Sequence, residues 1–144
     1  MFKLFEKNRG LSILITIVLA SVIFILSSIP FPGLPAGSNW MTVVYHIVIF
    51  FLFSMFLFIS FKGNKKLRVW QIFIVLLISI IYAFSDEFHQ LFVIGRSASL
   101  RDVLYDTTGI FFSVFIYSVF SSKKYNKAED KAYNIDVKDQ VNGE

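Results

Sequence analysis

Nineteen consecutive residues from Leu11 to Ile29 carry no charge, and three further apolar runs follow at about 40–61, 69–84 and 104–120. An α-helix rises about 1.5 Å per residue, so a run of this length covers the roughly 30 Å hydrocarbon core of a bilayer. Four such runs in 144 residues leave little chain for anything else. The composition agrees, with 56% of residues hydrophobic, 17% charged and a mean hydropathy of +0.65. That is too little polar surface to cover a soluble core, so lipid is the expected solvent. The chain has no cysteine, which removes disulfides, thiolate metal sites and thiol nucleophiles.

Lys3, Lys7 and Arg9 precede the first run, a combination shared with secretory signal peptides. The run is longer than a signal h-region, and the nearest small-residue site, Pro35-Ala36-Gly37, does not follow it directly. A retained helix is expected. Pro30, Pro32, Gly33, Pro35 and Gly37 then break the helix and form an uncharged loop that holds all three prolines. Trp40 opens the second run and His46 lies about two turns inside it. Lys62, Lys65, Lys66 and Arg68 surround Gly63-Asn64 as a basic loop, and Trp70 enters the third run. The division expected is a transmembrane domain over 1–120 and a polar tail over 121–144, disordered or loosely helical.

Twelve of the fourteen Lys and Arg residues fall in the N-terminal segment, the 62–68 loop and the tail. In a four-helix arrangement all three lie on one side. The positive-inside rule then puts both termini in the cytoplasm, and the Pro-rich loop and the stretch between the third and fourth runs outside.

That stretch, Ser85–Gly109, concentrates Asp86, Glu87, Asp102, Asp106, Arg96, Arg101 and His89 between two lipid-soluble segments. Charge beside lipid is expensive and marks a functional site by default. If the third helix continues past Ser85, Asp86, His89 and Gln90 share one face, with Glu87 displaced by about 100° and reaching Gln90. Gly95–Ser99 reads as a turn. Ser99 is placed to cap the last helix, with Asp102 three residues on completing an approximate capping box. Asp102 and Asp106 stand one turn apart, and Gly109 and Ser113 extend a small-polar stripe suited to close helix packing. The apolar Leu91–Ile94 segment is suited to dip into the membrane interface. The fold class expected is an all-α membrane protein of four transmembrane helices, with a half-embedded helical hairpin before the last span and its acidic face inward.

Several chemistries fit these residues. In a structural reading, Arg96 pairs with Asp86 or Asp102 and the network pins the hairpin. In a ligand reading, Arg96, helped by Arg101 or His89, grips a phosphate or carboxylate through its bidentate fork. Asp86 and Glu87 are then candidate acid/base groups, with His46 in support, and Gln90, Asp102 and Asp106 line the ligand site. Oxygen donors on Asp86, Glu87 and Asp102 would suit Mg²⁺ or Mn²⁺, but no spacing is diagnostic. Neither metal nor cofactor is expected on that ground. Proton transport along Asp and His is a further minority reading. A lone His in a helix is otherwise an interhelical hydrogen-bonder. Tyr45, Tyr82 and Tyr105 read as interfacial anchors, and the eighteen phenylalanines as lipid-facing bulk.

The pattern Asp86-Glu87-x-x-Gln90, Gly95-Arg96, Asp102-Val103, Asp106-Thr107-x-Gly109 spans 24 residues. It resembles the signature of the VanZ-like family, roughly DExxQxFxxGRxxxxxDVxxDTxG, with NT as a variant of DT. His46 in the apolar second span resembles that family's other recurrent residue, and the resemblance extends over residues 1–120. Ile94 stands where many members have Pro and Ala98 where Gly is common. Val43 occupies a position that is often basic, and Ile49-Phe50 replaces a frequent Glu-Tyr. The resemblance implies a small multi-pass protein of the bacterial cell membrane, associated with low-level resistance to the glycopeptide teicoplanin. Action on envelope components at the outer face is the expected role. The alternatives are a membrane-embedded enzyme acting on a lipid-linked or phosphate-bearing envelope molecule, and a non-enzymatic scaffold or transport component. The partners implied are the bilayer and a lipid-linked envelope precursor or anionic lipid, with no nucleic acid. The sequence leaves the oligomeric state and enzymatic character open.

Overall fold

The computed structural model describes residues 2–30 and 40–142. Among these residues the chain is helical throughout, in the order α1 Lys3–Lys7, α2 Arg9–Ser27, α3 Trp40–Lys62, α4 Val69–Gln90 and α5 Leu100–Asn142. Three of them (α2, α3 and α4) and the Leu100–Ile135 part of α5 are long and apolar enough to cross a membrane. The four spans expected from the apolar runs are therefore present. The loop at Pro32, Gly33, Pro35 and Gly37 lies outside the described residues.

Local chemistry sets the helix ends. At the end of α2 the hydroxyls of Ser27 and Ser28 donate back to the Phe24 carbonyl at 3.0 and 2.6 Å, just before Pro30. At the start of α4 the Arg68 N–H donates to Gln71 Oε1 at 2.9 Å, one half of a capping box. Ser99 caps α5 as expected, its hydroxyl accepting the Arg101 N–H at 3.2 Å. Between α4 and α5, Gly95 turns the chain with φ of 80°, a conformation other residues adopt at a cost.

Helix α3 is the centre of the bundle and touches every other helix, α5 most of all. Gly109 sits where α5 crosses it: a Cβ there would run into the backbone of Ile47 and Phe51. One turn on, the buried hydroxyls of Ser54 and Ser113 hydrogen-bond across the same seam. The small-polar stripe expected on the last helix is thus what lets α5 approach. Phe50, Phe53, Ile23, Ala83 and Ile110 form one buried cluster, and Phe58, Ile59, Val75, Val114 and Tyr117 belong to a second.

Two expectations change and one is narrowed. Phe50, Phe53 and Phe58 are core residues, so the phenylalanines are not all lipid-facing bulk. Tyr82 ties helices together rather than anchoring at an interface, since its hydroxyl donates to the Ala20 carbonyl at 2.7 Å. The last helix starts at Leu100, directly after the Ser99 cap, and continues as helix to Asn142, through the segment expected to be disordered or loosely helical.

The two ends of the bundle differ in charge. At the basic end α1 folds against the core and buries Glu6, which is 4% exposed. Its carboxylate accepts from Lys62 Nζ at 3.4 Å, from the Tyr117 hydroxyl at 3.0 Å, and from Lys124. Burial works against the charged form, but hydrogen bonds from Lys124 and Tyr117, with the charges of Lys62 and Lys124, hold this carboxyl below its usual range. The sequence reading treated Glu6 as a flanking charge and missed this role. At the opposite end lie the residues of the central stretch.

Candidate functional site

The C-terminal end of α4, the N-terminal end of α5 and the first turns of α3 converge at the acidic end. Asp86, Glu87 and Gln90 all face inward from the last turn of α4 and are 4–6% exposed. Gln90 holds the two carboxylates together, its Nε2 donating to Asp86 Oδ2 at 3.1 Å and to Glu87 Oε1 at 3.3 Å. The other oxygen of Glu87 accepts the Ser99 N–H at 2.8 Å. Glu87 therefore closes the cap of α5 from the neighbouring helix, in the place that the sequence assigned to Asp102. A carboxylate accepting a backbone N–H is a charge-assisted bond, so it fixes the α4–α5 angle firmly.

Asp102 and Asp106 face inward from the first two turns of α5, at 6% and 0% exposure. Across the seam with α3, His46 Nδ1 and Asp106 Oδ1 are 2.9 Å apart, and His46 is buried as well. Asp102 Oδ1 and Asp106 Oδ2 are buried with no hydrogen-bond partner among the described residues. An unpaired buried carboxylate oxygen is among the most costly arrangements a fold can hold. Two in adjacent turns of one helix identify the place where structure alone does not explain the residues.

Beside this cluster lies a cavity of about 390 Å³. Its polar wall is Ser27, Thr42, Tyr45, His46, Asp86, Gln90 and Arg96, and its apolar wall includes Leu26, Ile29 and Met41. Arg96 reaches it from the α4–α5 connection, where its guanidinium donates to the carbonyls of Leu26 at 2.8 Å and Ile29 at 3.2 Å. These are carbonyls at the C-terminal end of α2, where a cation is favoured by the helix dipole. The ion pairs among the described residues join His46 to Asp106 and Glu6 to Lys62 and Lys124, not Arg96 to Asp86 or Asp102.

All seven residues expected at the site, His46, Asp86, Glu87, Gln90, Arg96, Asp102 and Asp106, gather at this one end. Arg101 does not, because it faces away from the bundle and is exposed. Nor does His89, which bonds the Ser28 hydroxyl at 2.9 Å and stacks on Phe24 with ring centroids 4.6 Å apart. Ser27, Thr42 and Tyr45 were not expected. Thr42, Tyr45 and His46 have the i, i+3, i+4 spacing of one helix face, so that pair of partners was readable in the sequence. The donors that converge most closely are His46, Glu87 and Asp106, each offering an atom within 4.8 Å of the others. That set differs from Asp86, Glu87 and Asp102, which chain proximity had suggested.

A helical membrane bundle with four spans, holding a histidine and four carboxylates at one end, defines the class of protein. The VanZ/LLP1 family model matches residues 7–121 of the 144, and the chain belongs to that family. No curated protein and no solved structure matches it significantly.

Proposed function

We propose that this VanZ-like protein acts at the outer face of the bacterial cytoplasmic membrane, on a lipid-linked, phosphate-bearing envelope molecule, and so lowers susceptibility to teicoplanin-type glycopeptides. The observation that carries the reading is the composition of the cavity wall. Arg96, Gln90, His46 and Asp86 meet Leu26, Ile29 and Met41 around one space, as a ligand with a charged head and an apolar chain requires. Arg96 is the group suited to the anion, while Gln90 spends its donors on holding Asp86 and Glu87 in place. Asp86 and Glu87 are the proton-transfer candidates, and the His46–Asp106 pair is a second, deeper one. The charge distribution supports the placement, because the basic loops lie at the other end of the bundle.

A second reading is favoured by the Glu87–Ser99 bond, in which the carboxylates chiefly hold the α4–α5 hairpin in place. One experiment separates the two. Wild type, Arg96→Ala and Asp86→Asn are expressed in a sensitive Gram-positive host, with membrane levels measured beside teicoplanin and vancomycin susceptibility. A teicoplanin-selective rise for wild type, lost in variants present at normal levels, is the expected result. Variants that lose abundance in step with resistance would favour the hairpin reading. No rise with well-inserted wild type would remove the drug-related part of the proposal.

A further inference from the structure

We propose that His46, Glu87 and Asp106 bind a divalent first-row transition metal, with Asp102 beside them as a further oxygen donor. The proposal is independent of the substrate assigned to the cavity.

The geometry comes first. One atom each from His46, Glu87 and Asp106 lies within 4.8 Å of the others. Donors bound to one ion at about 2.1–2.2 Å lie about 3.0–4.4 Å apart depending on the angle between them, so the three atoms stand near the span of one coordination sphere and small side-chain rotations are needed to close it. The three residues come from three helices, α3, α4 and α5, and Glu87 is held from outside the cluster. Gly109 brings the backbones of α3 and α5 together just beyond the His46–Asp106 pair. Glu87 is oriented by the Ser99 N–H and by Gln90. Each of those bonds uses one lone pair on its oxygen and leaves a second for a cation. Such outer contacts are what holds metal ligands in register.

The second observation is independent of that convergence. Asp106 Oδ2 and Asp102 Oδ1 are buried without a hydrogen-bond partner among the described residues. Asp102 lies close enough to act electrostatically on His46, Glu87 and Asp106 alike. Asp86 adds a fourth carboxylate nearby, and its side-chain partners, Ser27 and Gln90, are both neutral. A divalent ion would give the orphaned oxygens a partner and offset two of the negative charges at once.

The donor set decides the class of ion. One imidazole nitrogen with carboxylate oxygens suits Mn²⁺, Fe²⁺ or Zn²⁺, whereas Mg²⁺ and Ca²⁺ favour oxygen alone. With no cysteine in the chain, soft thiolate-preferring ions are not served.

The test uses the full chain purified in detergent, stripped with chelator and reloaded separately with Mn²⁺ and Zn²⁺. One ion per chain is expected after desalting. The Mn²⁺ form should show nitrogen hyperfine coupling from an imidazole in pulsed electron paramagnetic resonance. His46→Gln and Asp106→Asn should each weaken apparent affinity by about 10–100-fold or more, starting from the range for lost ligand support. Circular dichroism and gel filtration report whether the variants are folded. If either variant misfolds, nitrogen coupling retained in His89→Gln decides the matter, because His46 is then the one imidazole left in the chain. No retained metal with either ion, metal bound without nitrogen coupling, or equal affinity in folded variants would each overturn the proposal.

Discussion

At Gly109 a Cβ would lie 3.0 Å from the carbonyl carbon of Ile47 and 3.1 Å from the amide nitrogen of Phe51, and closer still to the Ile47 carbonyl oxygen. Those neighbours are backbone atoms of a packed helix, so they cannot rotate away as a side chain would. Gly109→Ala must therefore push α5 off α3, at a cost of about 1–3 kcal/mol for overpacking. Asp106 is three residues earlier on the same helix, so its contact with His46 should lengthen too. Unfolding in detergent micelles checks this, with exposed Thr108→Ala as a neighbour expected to change stability by less than about 0.5 kcal/mol. An unchanged melting temperature for Gly109→Ala would mean that the seam is looser than the distances imply. At this scale much of the site was legible, because Asp102, Asp106 and Gly109 repeat with the helix period. The partners were not. The bond from Glu87 to the Ser99 N–H and the one from His46 to Asp106 depend on how helices meet, which no local spacing encodes.

Helix α1 is only five residues long, yet it carries a charge into the core. Lys62 is 5% exposed and Glu6 4%, so the Lys62 charge depends on Glu6, and Glu6 on its partners Lys62, Lys124 and Tyr117. Glu6→Gln should destabilise the bundle by about 3 kcal/mol, the lower end for breaking a buried pair. The sign of the pH dependence follows from the lowered pKa. Glu6 contributes fully above its ordinary value near 4.5 and loses that contribution as pH falls through its depressed folded value. The stability gap between wild type and Glu6→Gln should then be constant near neutrality and shrink in acid. Thermal melts from neutral to acidic pH measure it, and a gap that persisted in acid would remove Glu6 from the account. The first ten residues read as a basic flank because counting charges does not reveal which one is inside. The state of the tail stayed open for a related reason: composition reports burial, whereas helical hydrogen bonds are local and need no buried face. With 43 residues, α5 is about 64 Å long, roughly twice the hydrocarbon core, so about half of it extends past the membrane.

The whole molecule has a direction, and the proposed role depends on it. The number of spans was legible because a bilayer imposes one length on every crossing helix. Orientation rests on a different principle, the retention of short Lys- and Arg-rich segments on the cytoplasmic side. Lys65 and Lys66 lie in the loop at the basic end, while Ser97 is exposed in the α4–α5 connection at the other. The absence of cysteine allows single reporters to be introduced without background. Asn64→Cys, Ser97→Cys and Ser122→Cys replace exposed residues that make none of the contacts described above. A membrane-impermeant maleimide applied to intact cells should label Ser97→Cys alone, and the other two only after the membrane is opened. The reverse pattern would turn the acid cluster and its cavity toward the cytoplasm. That result would end the outer-face proposal yet leave the metal site standing, since a buried cluster binds its ion from whichever side the cavity admits it. Labelling of all three in intact cells would contradict the four-span arrangement itself, because an even number of crossings between Asn64 and Ser122 requires those two to agree with each other and disagree with Ser97.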